Sequence, residues 1–238
     1  MNNSNGSGWK NDVESKDGLK NIFKVRTEML SLRKQLRTMI KMQIAVYSEI
    51  IKREPLNVKA YLGRAKCQRL INNFNMSVGD CTKVLEINPE YFAAYDERGF
   101  CYFLLKDYGR AMDDYSKLLE IRITDEWYYF RGVSKSKLKM YPEAIKDFTE
   151  VIKLGKSERP EVIFKRGYCY LKSEKYDEAI NDLLKAVKLD CMSPKYLYNL
   201  GEAFRLKGNI IVANEVFELE KELKPLAEVN DSETEEGI

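Results

Sequence analysis

Apolar residues recur every three or four positions along most of the chain, beginning near residue 20. This spacing is that of amphipathic helices, whereas the strict alternation typical of strands is sustained nowhere. Only six prolines and thirteen glycines interrupt the 238-residue sequence. The chain is therefore predicted to be all helical.

A small residue returns at a nearly constant interval through this helical region. The intervals are 34, 33, 35 and 34 residues, between Ala65, Gly99, Gly132, Gly167 and Gly201. A large residue stands four positions before each small one, and a second small residue stands twelve positions after it. A period of this length indicates a stack of similar supersecondary units.

The unit AYDERGFCYFLLKDYGRAMDDYSKLLEI, residues 94–121, resembles the tetratricopeptide repeat closely. The resemblance covers residues 58–225 in five units, although Ile123, Lys156 and Cys191 replace the proline with which this family usually ends a unit. It implies an all-α, right-handed superhelical solenoid of antiparallel helix pairs. Within each pair we expect the two small residues, such as Gly99 and Ala111, to face each other.

The ends of the chain differ in composition from the repeats. We expect residues 1–19 to form a disordered N-terminal segment and residues 226–238 to form an acidic disordered tail. Residues 20–57 are predicted to be a basic helical segment or a degenerate first repeat. In the second case residues 24–55 form a helical hairpin, and in the first they form one long helix.

An arginine and an aspartate occupy fixed places in four of the five units. The arginine directly precedes the small residue, and the aspartate follows sixteen positions later. In the fifth unit both positions turn apolar together, as Leu200 and Val216, which suggests that the two positions touch. We predict four structural ion pairs: Arg64 with Asp80, Arg98 with Asp114, Arg131 with Asp147, and Arg166 with Asp182.

Composition argues against catalysis. The sequence has no histidine, which is the commonest general base and transition-metal ligand. It also has neither of the glycine-rich phosphate-binding patterns GxxxxGK[ST] and GxGxxG. We therefore predict a protein that is not an enzyme, with no cofactor, no metal and no catalytic residue.

The five cysteines form no CxxC pair and are interpreted as reduced core thiols. No secretory signal or membrane span is expected, and the net charge of +3 suggests no partner by itself. We expect a cytoplasmic protein, with the nucleus as the alternative compartment.

The resemblance also implies a concave surface lined by the exposed side of each first helix. Carried onto this sequence, it predicts a partner-binding groove that is rich in aromatic rings and flanked by polar residues. The predicted groove residues are Lys66, Arg69, Phe100, Phe103, Tyr129, Phe130, Phe164, Lys165, Tyr168, Tyr198, Asn199 and Arg205. The expected partner is a protein or peptide with apolar side chains, in an adaptor or assembly scaffold. The alternative is that these rings are core, packing one first helix against the next.

The sequence can be compared with two other binding modes. Some proteins of this family hold the C-terminal carboxylate of chaperones in a clamp of Lys and Asn, but this chain has Leu62 and Lys66, or Asp96 and Phe100, at those places, so no clamp is expected. The second mode uses the basic segment Lys20 to Arg53, which could bind nucleic acid or an anionic surface.

Overall fold

The computed structural model describes residues 16–155 and 158–234, and these residues form eleven α-helices with no strand among them. The chain divides into two compact units, Met1–Asn88 and Pro89–Ile238. The first unit contains α1 (Lys16–Arg53), α2 (Val58–Leu70) and α3 (Phe74–Ile87). The second contains α4 (Phe92–Leu104), α5 (Tyr108–Ile121), α6 (Asp125–Lys137), α7 (Tyr141–Leu154), α8 (Pro160–Lys172), α9 (Tyr176–Leu189), α10 (Pro194–Leu206) and α11 (Ile210–Thr234). The predicted all-α, tetratricopeptide-like fold class is confirmed.

In the first unit α2 packs against both α1 and α3. The contact with α1 is close, because a Cβ built on Gly63 would lie 2.5 Å from Cζ of Tyr47. Arg64 extends across the same junction and donates a hydrogen bond to the Ser48 hydroxyl at 3.0 Å. Ala65, Cys81 and Val84 are fully buried. These contacts join the C-terminal part of α1 to the first clear repeat.

In the second unit each helix packs against its neighbours in sequence. The first helices of successive repeats also touch, as α4 touches α6 and α6 touches α8. The core of the unit includes the fully buried side chains of Tyr115, Phe148 and Leu183, which stand at the same place in successive repeats. A repeating contact of this kind buries one continuous core that no single helix pair could form.

The close approach within each pair involves different residues from those expected. The atoms nearest to a Cβ built on Gly99 belong to Asp114, at 3.1 Å, and Tyr115, at 3.5 Å. These residues lie one turn beyond Ala111. The same offset recurs at Gly132, which faces Asp147 and Phe148. The small residue therefore makes room for the aspartate and the large residue that follow it.

The turn between the two helices of each repeat contains one residue with positive φ. These residues are Asn72, Lys106, Lys139, Glu174 and Gly208, with φ between 61° and 92°. Each stands seven positions after the small residue of its repeat. Only the last is a glycine, so four repeats accept the strain of a left-handed L-residue to fix the turn.

Of the two alternatives for residues 24–55, the structure has the single long helix and not the hairpin, because α1 runs unbroken from Lys16 to Arg53. The position that corresponds to the positive-φ residue is Thr38, seven positions after Ser31. A β-branched residue disfavours the left-handed conformation. Thr38 instead stays in the helix, where its hydroxyl donates to the Lys34 carbonyl at 3.0 Å.

The structure describes part of each end for which disorder was predicted. Residues 16–19 belong to α1, and α11 continues through the predicted tail to Thr234. Acidic residues do not prevent a helix from forming. The part of α11 that packs against α10 supplies the costly first turns, so the helix can extend beyond that contact. Residues 1–15 and 235–238 lie outside the described part of the chain. No helix in that part is long and apolar enough to cross a membrane.

Candidate partner-binding site

All four predicted ion pairs are present, and each has the same two-point geometry. In every pair the arginine Nε and Nη2 donate to the two carboxylate oxygens of the aspartate sixteen residues later, at 2.7–2.9 Å. The Arg98 side chain is 18% exposed and the Asp114 side chain 5%. The hydrogen bonds that Arg64 and Arg166 donate to Asp80 and Asp182 raise the pKa of these two arginines. The pairs join the two helices of a repeat.

Four of the predicted groove rings meet in one aromatic cluster in the second unit. The ring of Phe130 lies 5.4 Å from that of Phe100, 5.1 Å from Phe103 and 5.5 Å from Tyr129. It also stacks on the buried Tyr115 at 5.4 Å. These rings are half-buried, so they join α4, α5 and α6 and leave only their edges exposed. Most of the surface of these four rings is buried against neighbouring helices, as the alternative of core packing expects.

Phe164 differs from the expected groove ring, because it is only 4% exposed. It stacks on Tyr196 of α10 with 4.6 Å between ring centroids. Tyr196 was not singled out from the sequence, since a large residue five positions before the small one is no part of the repeat pattern. The Nζ atom of Lys195 lies over the other side of Phe164, 5.0 Å from the ring centroid.

Tyr129 anchors a polar network beside these rings. Its hydroxyl donates to Oε1 of Glu161 at 2.7 Å, and Glu161 also pairs with Lys165 at 3.2 Å. Lys165 and Arg159 both lie 5.8 Å from the Tyr129 ring centroid. Burial and the hydrogen bond to Glu161 raise the pKa of Tyr129 above its ordinary value. This network links α6 to α8 along the predicted groove.

Next to this network the second unit contains a pocket of about 400 Å³. It lies among α6, α8 and α10, the turn after α6, and part of α7. Four aromatic residues and four lysines line it, together with three smaller side chains. The lining residues are Val133, Ser136, Lys137, Lys139, Tyr141, Phe148, Phe164, Lys165, Tyr168, Lys195 and Asn199.

The lysines of the pocket form a concentration of positive charge. Within the described part of the chain, no carboxylate oxygen lies within 4.0 Å of the ammonium group of Lys137, Lys139 or Lys195. Burial and repulsion from Lys165 and Lys137 lower the pKa of Lys195, although the nearby carboxylate of Glu161 opposes this shift. An anionic group placed in the pocket would relieve this repulsion.

The remaining groove residues lie on α10 in the second unit and on α2 in the first. Tyr198 is 51% exposed, with its ring 6.0 Å from that of Phe217. Asn199 lines the pocket and donates to the Lys195 carbonyl, whereas Arg205 pairs with Glu202 at 2.8 Å. In the first unit Lys66 is exposed and Arg69 half-buried on α2.

Sequence reasoning missed Lys137, Lys139, Tyr141 and Phe148 as pocket residues. They come from the end of a first helix, the following turn and the second helix, whereas the groove positions of the family all lie within first helices. The sequence did hold one sign of a positively charged site. Lys137 ends the first helix of its repeat, and Lys139 lies in the turn that follows.

A second feature joins neighbouring first helices at the other end of the unit. The Trp127 indole donates to Oδ1 of Asp96 at 2.8 Å, and the Arg122 guanidinium lies 5.2 Å from the indole centroid. Trp127 borders a smaller pocket of about 350 Å³ that is mainly apolar. The interaction ties α4 to α6.

The described residues hold no group of three or more His, Cys, Asp or Glu side chains that could bind a metal ion. Cys67, Cys81, Cys101 and Cys169 are buried, and Cys191 is exposed. The seven basic side chains between residues 20 and 41 of α1 are all exposed. Binding of nucleic acid or an anionic surface through α1 therefore stays a prediction.

Comparison with known families identifies the repeats. Residues 92–122 match the tetratricopeptide repeat family, and residues 167–208 match a related TPR repeat family. No curated protein sequence matches the chain. Together with the helix-pair architecture, these matches show that the chain contains tetratricopeptide repeats and has the fold of a tetratricopeptide-repeat array.

Solved structures agree with this fold. The TPR protein YrrB, which has an unusual peptide-binding site, superimposes with a TM-score of 0.67 and 21% identity over 75% of this chain and 92% of that one. MamA from Desulfovibrio magneticus RS-1 gives 0.66 and 22%, over 71% and 95%. A tetratricopeptide repeat protein from Parabacteroides merdae gives 0.59 and 17%, over 74% and 70%. At such low identity the likeness extends to the fold alone.

Proposed function

We propose that the chain is a non-enzymatic adaptor or assembly scaffold that binds a segment of a partner protein in the second unit. The observation that carries this proposal is the pocket that Phe164 and Tyr168 line together with four lysines. Aromatic surface with a polar rim is characteristic of protein interfaces. The peptide-binding site of the similar fold in YrrB supports the same use of such repeats.

The chemistry of the pocket selects the kind of segment. Tyr168 is half-buried, so it offers a ring face to an apolar side chain while keeping its own position. The unpaired ammonium groups of Lys137, Lys139 and Lys195 favour a neighbouring carboxylate. The partner segment is therefore expected to combine an aromatic or aliphatic side chain with one or more acidic residues.

A display library of random peptides tests this proposal with the full chain as bait. The enriched peptides should carry Asp or Glu next to an apolar residue. Because each lost charge pair corresponds to about a tenfold loss of affinity, or ~1.4 kcal/mol, the variant Lys137→Glu/Lys195→Glu should weaken the best peptide by well over tenfold. Tyr168→Ser should also weaken it, whereas buried Phe164 is a poor choice because its replacement disturbs the core.

Lys146→Glu/Lys153→Glu is the matched control, since both lysines are exposed on α7 and outside the pocket. It makes the same change in net charge as the pocket variant and should leave the peptide affinity unaltered. Enrichment of neutral peptides, or equal binding by the pocket variant and the control, would contradict the proposal. Failure to enrich any peptide would argue against the adaptor function itself.

A further inference from the structure

The N-terminal helix α1 carries a long apolar face that the rest of its unit does not cover. Contacts with α2 involve its C-terminal part, through Tyr47, which approaches Gly63, and Ser48, which accepts from Arg64. Gln43 also meets α2, because its Oε1 accepts from the Cys67 thiol at 3.5 Å. All described side chains from residue 23 to residue 39 are exposed. Phe23, Met29, Leu32, Leu36 and Met39 are among them. Exposed apolar surface of this extent usually marks an interface.

Six apolar residues of α1, together with Gln43, follow a heptad pattern, whereas the exposed side chains of Phe23, Leu30 and Met42 lie off it. Gaps of four and three residues alternate along the face, which we call the α1 seam: Val25, Met29, Leu32, Leu36, Met39, Gln43 and Val46. Its six apolar members are between 51% and 64% exposed. With Met29, Leu36 and Gln43 at the a positions, the others occupy d positions. The seam spans three heptads, the length at which such a pattern indicates a coiled coil.

The heptad also specifies what can cover the seam. A period of 3.5 residues drifts by roughly 20° per heptad around a straight helix, so only another helix that supercoils with α1 can follow it. An extended peptide or a flat surface would lose contact along the three heptads. The covering element is therefore a helix that runs along α1.

The charges beside the seam favour a second copy of α1 in parallel. Glu28 occupies a g position and Arg33 the e position five residues later. In a parallel, in-register pair each Glu28 lies opposite Arg33 of the other copy, twice by symmetry.

The other basic residues of α1 stand outside the interface of such a pair. Lys20, Lys34 and Lys41 occupy f positions, and Lys24 and Arg37 occupy c and b positions. They face water in the dimer and repel one another only at longer range. Salt screens this repulsion, so the dimer should become tighter as ionic strength rises.

We propose that the chain forms a parallel homodimer through a two-stranded coiled coil along the α1 seam. This dimer is independent of the pocket in the second unit. It would present two copies of that pocket to a partner, which increases the effective affinity for a partner that carries two binding segments.

Sedimentation equilibrium of the full chain over micromolar to hundred-micromolar concentrations tests the dimer. The chain should show a monomer–dimer equilibrium whose dissociation constant falls at higher salt. Leu32→Glu, at a d position, should raise the dissociation constant of the dimer at least tenfold and so shift the chain to monomer. Leu30→Glu is the matched control, since Leu30 is 57% exposed against 59% for Leu32 but occupies a b position.

The orientation is tested by an inter-chain disulfide. Leu32→Cys in a Cys191→Ser background, which removes the exposed native thiol, should crosslink two copies under mild oxidation, and Leu30→Cys should not. A monomer at every concentration, or equal dissociation by the variants at positions 30 and 32, would overturn the proposal. So would a monomer that binds vesicles of phosphatidylserine and phosphatidylcholine in a salt-sensitive way.

Discussion

The Arg98 guanidinium donates hydrogen bonds to both carboxylate oxygens of Asp114, at 2.9 and 2.7 Å. The neighbouring Gly99 lies where the two helices of the repeat come closest, because a Cβ there would lie 3.1 Å from Asp114 Cβ. The ion pair and the small residue thus serve one junction. Breaking a buried pair by removing one partner leaves an uncompensated charge.

A double-mutant cycle on this pair should therefore show strong coupling. Arg98→Ala or Asp114→Ala alone should lower the free energy of unfolding by roughly 3 kcal/mol, and the double variant by much less than the sum. Urea unfolding measures each term. The exposed pair Lys117–Glu120 is the control, with an expected coupling under ~1 kcal/mol. Additive losses at Arg98 and Asp114 would show that they act independently.

The hydroxyl of Tyr115 is buried and has no hydrogen-bond partner among the described residues. The same place in the next repeat holds Phe148. Because an unpaired buried hydroxyl costs about 1–3 kcal/mol, Tyr115→Phe should stabilise the protein by about 1 kcal/mol. Thermal unfolding would detect the rise in Tm. A loss of stability would mean that the hydroxyl has a partner, such as a buried water.

Lys106 holds a φ of 62° in the turn between α4 and α5. Lys106→Gly should raise the free energy of unfolding by roughly 1 kcal/mol, since glycine adopts this conformation without strain. Lys106→Val should lower it, because a β-branched side chain clashes there. Urea unfolding of both variants checks the prediction, with Lys117→Val on the exposed side of α5 as the control for the valine side chain. Equal stabilities of the glycine and valine variants at position 106 would contradict it.

The thiols should differ sharply in reactivity. Burial raises the pKa of Cys169 to about 11, so its reactive thiolate is scarce below that pH. Cys191 is exposed and should be the one thiol that a disulfide reagent modifies rapidly in the native chain. Cys191→Ser should abolish the rapid phase, and unfolding in urea should expose the other four cysteines. Rapid native reaction of Cys169 at neutral pH would contradict its burial.

Periodic features could be predicted from the sequence and aperiodic ones could not. Arg166 and Asp182 were identifiable because the same pair recurs in four repeats and disappears as a pair in the fifth, at Leu200 and Val216. Only part of the pocket was identifiable, because Phe164, Lys165, Tyr168 and Asn199 stand at groove positions of the repeat. Lys139 and Lys195 come from different repeats and occupy no equivalent position. Their approach depends on how successive helix pairs stack.

The hairpin expected within residues 24–55 shows a second limit. The spacing of Ser31 and Pro55 matched the repeat, but the turn needs one residue with positive φ, and Thr38 opposes it. Lys106 and Glu174 accept that conformation without being glycine. The repeat pattern therefore locates helix faces well, while a single side chain at the turn decides whether a helix bends back.

The bond from the Trp127 indole to Asp96 gives the chain a built-in optical probe. The second tryptophan, Trp9, lies outside the described residues and could be replaced by phenylalanine, which leaves one fluorophore at the junction of α4 and α6. Emission from Trp127 would then report the separation of these two helices alone. Compared with circular dichroism, which averages over all helices, it would reveal whether the array opens at this junction before it melts as a whole.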